Sequence, residues 1–289
     1  MSTSWRSIIY AILAAVFYGF SIPLSKPLLN ELHPLLLAAL LYLGAGIGIL
    51  GLSFKHQSPP TLPLQSTDRQ AIIGMVILDV LAPILLLLGL SSAPASSASL
   101  LNNFEIVATT LIAMHLFHER VPKSVGVAIA IITLSSLILS VEDWNTLHFS
   151  AGSLLILGAT VAWGLENNLT RHLSSRNPLH IVIIKGIGSG LTSLTLAALV
   201  GWGQPPLLAI AYALGLGFIA YGLSITLYVR AQRDLGAAKT SAYYAVAPFV
   251  GMVLGWILFD DVLRFSFWVA LALMIVGTVI LIVHELHLK

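Results

Sequence analysis

Trp163, Glu166, Asn167 and Thr170 are spaced by three and four residues, which puts all four on one face of a helix. Tyr18, Ser21 and Ser25 repeat that pattern nearer the N-terminus. Asp79, Glu105 and Lys185 also stand inside long apolar runs. A charged side chain at the centre of a bilayer costs about 2.5–3.5 kcal/mol on insertion scales, so such groups face a bundle interior or a water-filled cavity. The chemistry these residue types offer is binding and proton exchange, not bond cleavage. There is no Ser nucleophile motif, no HExxH and no Walker-type glycine loop for ATP. Cysteine is absent, which removes disulfides, thiol chemistry and Cys-based metal sites. His115 and His118 lie three apart, but no third ligand of matching spacing accompanies them, so they read as packed or interfacial.

Depth follows from the rise of about 1.5 Å per helical residue. Asp79 and Glu105 each fall about ten residues into their runs, about 15 Å deep and near the midplane of a ~30 Å hydrocarbon core. Two carboxylates close together in a low dielectric favour sharing a proton, so this pair is a candidate for proton coupling. Hydrogen bonds to Asn102, Asn103 or serines are the structural alternative. Glu166 and Lys185 share a depth of about 10 Å, which allows an ion pair between neighbouring helices. That pair can bind the two ends of a zwitterion, act as a gate, or be a fixed structural bridge. The sequence leaves all three open.

Ten apolar stretches must position these groups: 5–29, 34–54, 70–92, 95–117, 122–141, 149–172, 178–201, 206–231, 236–259 and 263–285. Hydrophobic residues make up 57% and charged residues 9% of the 289 residues, against about 25% charged in soluble domains. Mean hydropathy is +0.94. The runs reach the roughly 18 residues of a spanning helix. The first, from Ser7 to Leu29, is too long for a signal-peptide core and lacks a convincing cleavage site, so it reads as a retained helix. The longest connection, Lys55 to Arg69, holds Pro59, Pro60 and Pro63 and no domain.

With the N-terminus in the cytoplasm, Arg6, Lys55, Arg69, Arg120, Lys123, Arg171, Arg176, Arg230, Arg233, Lys239 and Lys289 fall inside, and only Lys26 and Arg264 outside. The acids Glu31, Glu142, Asp143, Asp260 and Asp261 gather outside. Eleven against two satisfies the positive-inside rule, with both termini cytoplasmic.

The chain also repeats itself. Phe17-Tyr18-Gly19 matches Ala162-Trp163-Gly164, and Lys26 falls opposite Arg171. Pro34-Leu35 matches Pro178-Leu179, and Gly44 and Gly46 match Gly188 and Gly190. Leu116 to Val121 matches Ile257 to Val262. The halves are 1–145 and 146–289. Five spans is an odd number, so the second half sits inverted, the footprint of carriers that open alternately to the two sides. The polar faces of spans one and six then meet near the pseudo-twofold axis, and Tyr243 and Tyr244 correspond to Asn102 and Asn103 as wall residues. Trp5, Trp144, Trp202 and Trp268 sit at span ends, where tryptophan forms interfacial belts. Gly44, Gly46 and Gly48, Gly186 and Gly190, and Gly251 and Gly255 form small-residue stripes suited to close helix contact. Pro23, Pro27, Pro83 and Pro248 read equally as hinges or static kinks.

These features together resemble the drug/metabolite transporter superfamily, EamA type, over essentially the whole chain. In that family spans four and nine carry a mid-helix acid or proline and end in an acid after a Leu-rich run. Here Glu105 and Glu119 flank Leu111 to Phe117, and Pro248 and Asp260 mark span nine. Ile106 departs from the proline that often follows the mid-helix acid, and Asp260 from the commoner Glu. The resemblance implies export of a small metabolite or amino acid, by proton coupling or exchange.

The expectation is therefore an all-α membrane protein of ten helices in two inverted five-helix repeats, in the inner or plasma membrane. It is a carrier and not an enzyme, without cofactor or metal, and acts as a monomer or weak homodimer. Its partners are the lipid bilayer, a small polar or zwitterionic substrate and protons, with nucleic acid excluded by the lack of exposed basic clusters. Tyr18, Ser21, Trp163, Glu166, Asn167, Lys185, Tyr243 and Tyr244 are the expected substrate contacts. Asp79 and Glu105 are the expected proton carriers. Uptake, movement of a lipid-linked precursor, or a non-transporting scaffold or enzyme are the rival readings.

Overall fold

A computed structural model describes residues 5–53, 64–116, 118, 121–143, 146, 148–170, 173, 176–235, 240 and 243–287. Lys55, Pro59, Pro60, Pro63, Glu119, Arg120, Trp144, Arg171, Lys239 and Lys289 lie outside the described residues, and so does most of the start of the ninth stretch. In the first half, α1 (Trp5–Gly19) and α2 (Ser21–Leu28) share the first stretch. Then come α3 (Pro34–Ser53), α4 (Arg69–Ser92), α5 (Ala95–Leu101), α6 (Phe104–Leu116) and α7 (Lys123–Ser140). A two-stranded antiparallel ribbon, β1 (Val141–Asp143) and β2 (His148–Phe149), links the halves. The second half holds α8 (Ala151–Thr170), α9 (Pro178–Val200), α10 (Leu207–Gly217), a π-helical stretch at Phe218–Leu223, α11 (Ser224–Leu235), α12 (Ala247–Phe259) and α13 (Phe265–His287).

Seven helices are long and apolar enough to cross a membrane by length and composition. The three expected spans outside that set are the fourth, sixth and ninth. The fourth is not one helix. Asn102 and Asn103 form a turn between α5 and α6, where Asn103 N–H bonds Leu100 O, Glu105 N–H bonds Asn102 O and Ile106 N–H bonds Asn103 O. Asn disfavours helix interiors because its side chain competes for backbone bonds. The tighter three-residue bonds keep the backbone satisfied where water is scarce. In the sixth, α8 has the length, but Glu166, Asn167, Asn168 and Thr170 crowd its end. In the ninth, α12 spans only 13 residues. It closes on Asp260 in the left-handed region (φ 46°), and His118 beyond α6 does the same (φ 54°). Each half thus places a left-handed residue near the end of this helix, one position apart in the matched segments.

The packing reproduces the repeat. The tightest pairs are α3 with α9, α4 with α8, α7 with α13, α1 with α11, α6 with α8, α5 with α12, and α3 with α10. Exchanging each element with its counterpart in the other half turns α4–α8 into α11–α1, α6–α8 into α12–α1, and α3–α10 into α9–α4, all of them observed. The α3–α9 and α7–α13 pairs map onto themselves. Glycine makes the α3–α9 crossing possible: a Cβ on Gly186 would stand 2.5 Å from Gly46 Cα and N.

One end of the bundle is sealed. Leu28, Leu37, Leu41, Leu87, Leu90 and Leu101 belong to a single buried cluster there. Lys26 Nζ donates to Leu90 O and Ala93 O, each at 2.6 Å, and so caps the last turn of α4. Asp261 accepts from Ser96 N–H (3.1 Å) and Ser96 Oγ (2.6 Å), tying the α12–α13 loop to the start of α5. At the opposite end Ser7 Oγ donates to Asp234, Ser124 Oγ lies 3.0 Å from His284 Nδ1, and Arg176 Nη2 donates to Asp68 Oδ1 at 3.1 Å. These contacts gather the starts of α1, α4, α7 and α9 with the ends of α11 and α13.

Candidate functional site

A cavity of about 600 Å³ lies between the two halves, within the range of small-molecule sites. Its walls begin near mid-helix at Tyr18, Tyr42 and Asp79 and run toward the end of the bundle where α1 starts. There Val125 opens α7, Val182 opens α9, and Leu281 and Ile282 close α13. The cavity does not reach the leucine-sealed end.

Its floor is a charged cluster. Lys185 Nζ on α9 donates to Glu166 Oε1 on α8 at 3.0 Å and makes ion contact with Asp79 Oδ2 on α4 at 3.3 Å, without hydrogen-bond alignment. Tyr42 OH on α3 donates to Asp79 Oδ1 at 3.0 Å and accepts from Trp163 Nε1 at 3.4 Å. Asp79 is 0% and Glu166 1% exposed. Four helices from both repeats therefore meet in one buried network, and each charge is held by an opposite charge, as burial requires.

Glu105 stands apart from this cluster. It occupies the first turn of α6, just past the Asn102–Asn103 turn, where the helix dipole favours a negative charge. Asn167 Nδ2 on α8 donates to its Oε1 at 2.7 Å and lies 3.4 Å from Thr109 Oγ1. Asn168 holds α8 against α6 through Thr109 O (2.9 Å), while also bonding its own Gly164 O (2.8 Å). A Cβ on Gly164 would stand 2.8 Å from Thr109 N, so glycine is needed for Asn167 to reach Glu105.

Tyrosines form the third component. Ring contacts run in sequence from Tyr42 to Tyr221 (5.7 Å), Tyr221 to Tyr18 (6.0 Å), Tyr18 to Tyr244 (5.7 Å) and Tyr244 to Tyr228 (5.1 Å). All five line the cavity. Asn102 Nδ2 donates to Tyr18 OH at 3.3 Å, and Ser224 Oγ lies 3.2 Å from Tyr244 OH while donating to Ala14 O at 2.8 Å.

Of the expected residues, Tyr18, Asp79, Glu105, Trp163, Glu166, Asn167, Lys185 and Tyr244 line the cavity. Ser21 and Tyr243 do not. Ser21 is buried and hydrogen-bonds with Tyr221, so the tyrosine and not the serine faces the cavity. Tyr243 precedes Tyr244, which lines the cavity, and is not itself among the lining residues. Asp79 and Glu105 do not pair with each other: Asp79 joins Lys185 and Glu166, and Glu105 joins Asn167. Thr170 Oγ1 bonds the carbonyls of Glu166 and Asn167 on its own helix.

Tyr42, Tyr221, Tyr228 and Thr109 were not anticipated. Tyr221 and Tyr228 are seven apart, two turns on one face, and that spacing was a usable signal. Tyr221 also sits in the π-helical stretch, a rare conformation found often at functional sites. Tyr42 carries no such mark.

A family profile described as the EamA-like transporter family matches residues 5–141 and 150–283, once per half. An uncharacterized transporter of Methanothermobacter thermautotrophicus is 26% identical over 290 residues, covering 93% of this chain and 84% of that protein. The uncharacterized inner membrane transporter YedA of Escherichia coli K12 is 25% identical over 256 residues, covering 86% of this chain and 81% of its own length. A solved crystal structure of a protein superposes with a TM-score of 0.69 at 14% identity, over 98% of this chain and 99% of that one. That last likeness concerns the fold alone.

Proposed function

The chain belongs to the EamA-like transporter family, and on that premise we propose that it is an alternating-access carrier exporting a small polar or zwitterionic, amino-acid-like metabolite. The observation that carries this reading is a cavity between the two repeats, charged at its floor and otherwise mostly apolar, that reaches one end of the bundle and is sealed at the other. Midplane sites at a repeat interface are where such carriers hold substrate. We take the ten stretches as ten spans in two inverted repeats, 1–145 and 146–289, with both termini cytoplasmic. Eleven Lys and Arg residues against two support that orientation. The cavity then faces the cytoplasm, where an exporter loads its cargo. The inner membrane named for the Escherichia coli relative is the proposed location. Tyr18, Trp163, Asn167 and Tyr244 are the proposed substrate contacts, beside the Glu166–Lys185 pair. Asp79 and Glu105 are the proposed proton carriers, so an imposed pH gradient changes the flux in proteoliposomes. Flux indifferent to the gradient removes that role.

The absence of native cysteine makes accessibility a clean test. Val262 is 93% exposed between α12 and α13, and Thr67 is exposed in the turn just before α4. An impermeant maleimide is expected to label Val262→Cys in intact cells and Thr67→Cys only after permeabilisation. The reverse pattern overturns the orientation. Ile106→Cys, inside the cavity, is expected to react in both right-side-out and inside-out vesicles as the two states exchange. Reaction from one face alone overturns alternating access.

A further inference from the structure

The cavity holds three carboxylates and one ammonium group: Asp79, Glu105, Glu166 and Lys185. Lys185 already serves two of the acids, at 3.3 and 3.0 Å. With both ionised that cluster is itself negative, so a substrate carboxylate approaching Lys185 meets like charge. Glu105 has a neutral partner only: Asn167 donates to Oε1, and among the described residues no Lys, Arg or His lies within ion-pair distance of it. The carboxylate is within electrostatic reach of Tyr18, Tyr221 and Tyr244, and of both Lys185 and Glu166, whose opposite charges act on it in opposite senses. Those three rings belong to the five-tyrosine belt that continues to Tyr228 at the open end. Tyrosine faces attract cations, most strongly when both are withdrawn from water. They also give flat apolar area to a ring or short alkyl chain. A carboxylate with no cation in direct contact, set in a wall of aromatic faces inside a cavity of about 600 Å³, is a receptor for a positive charge.

We propose that this cavity selects a monovalent organic ammonium ion, its charged nitrogen on Glu105 and its aromatic or alkyl body against Tyr18, Tyr221, Tyr228 and Tyr244. The proposal rests on the reading of the cavity as the transport site and, within the small polar cargo proposed there, favours a cation over a zwitterion. The ammonium end is held, and a carboxylate end is not required. A proton and the ammonium ion compete for one carboxylate, so Glu105 is always neutralised, by one or by the other.

Three compounds sharing one phenyl ring separate the charges: phenethylamine is cationic, phenylalanine zwitterionic and phenylacetate anionic. Isothermal titration into the purified full-length chain in detergent is expected to rank phenethylamine at least tenfold above phenylalanine, with phenylacetate not binding. Glu105→Gln is expected to weaken phenethylamine at least tenfold and to erase its advantage over phenylalanine. Its thermal midpoint reports folding, and the wild-type ranking stands as a test even where that variant fails to fold. Phenylalanine binding as tightly as phenethylamine, no binding by any of the three, or a folded Glu105→Gln that keeps wild-type affinity each overturns the proposal. With Ile106→Cys still reactive from both faces, such a failure sinks the cargo assignment alone. Reaction from one face sinks the carrier reading with it.

Discussion

Lys185→Met is expected to destabilise the protein by about 3–5 kcal/mol and to abolish transport. The argument starts from burial. Asp79 is 0% and Glu166 1% exposed, and Lys185 is the cation in contact with both. Methionine fills much the same volume as the lysine stem, so packing changes little. What disappears is the charge that lets two carboxylates stay in a low-dielectric interior. Removing one partner of a buried pair leaves an uncompensated charge, and here it leaves two. Tyr42 still donates to Asp79 Oδ1, but one neutral hydrogen bond does not replace an ion pair. Denaturant unfolding of the purified protein in detergent reads the loss.

The triple variant Asp79→Asn, Glu166→Gln, Lys185→Met separates charge balance from function. It keeps the volumes and removes all three charges. Replacing a whole buried ion cluster by neutral groups is often neutral in stability or better, so unfolding is expected to return to within about 1 kcal/mol of the wild type. Flux in proteoliposomes is expected to stay below a tenth of wild type, because α3, α4, α8 and α9 lose the polar network through which the repeats meet. A triple variant transporting at the wild-type rate reduces the cluster to packing. A single Lys185→Met variant as stable as wild type removes the burial argument.

Seven of the ten expected spans and the charged residues of the cavity were legible in the sequence because each rests on a large, local energy. Long apolar runs and intramembrane charges have few alternatives in lipid. The Glu166–Lys185 pairing was legible too, since the helices are consecutive and the depths match. The inclusion of Asp79 was not. Its contact with Lys185 depends on α4 and α9 lying side by side, a lateral fact that hydropathy does not carry. The interruptions divide similarly. Two adjacent asparagines mark the α5–α6 break, whereas nothing in Phe218–Leu223 announces a π-helical stretch. Tyrosine was the most ambiguous residue type, because a membrane interface and a cavity wall attract it for one reason, an apolar body with a polar tip. Only after folding do five rings from α1, α3, α11, the π-helical stretch and the start of the ninth span join into a belt.

The same lateral packing sets the second large effect. Gly217→Ala on α10 is expected to destabilise the protein by about 1–3 kcal/mol or more, while Gly215→Ala, two residues away, is expected to be neutral or slightly stabilising. A Cβ on Gly217 would stand 2.0 Å from Leu41 O and 2.7 Å from Leu41 C and Cα. The contact is reciprocal, since a Cβ on Gly44 would stand 2.1 Å from Leu214 O. All of these neighbours are backbone, so no side chain can swing aside and α3 itself must move. A Cβ on Gly215 meets nothing within 4 Å, and alanine there gains helix propensity. Leu41 immediately precedes Tyr42, whose hydroxyl joins Trp163 to Asp79. A shift of α3 large enough to admit the methyl group therefore loosens the charged cluster as well as the crossing. Gly217→Ala is expected to reduce flux at least tenfold with Gly215→Ala near wild type. One displacement of α3 relieves both clashes, so the double variant Gly44→Ala, Gly217→Ala is expected to lose less than the sum of the two singles. Strict additivity means that the two glycines do not report on one crossing.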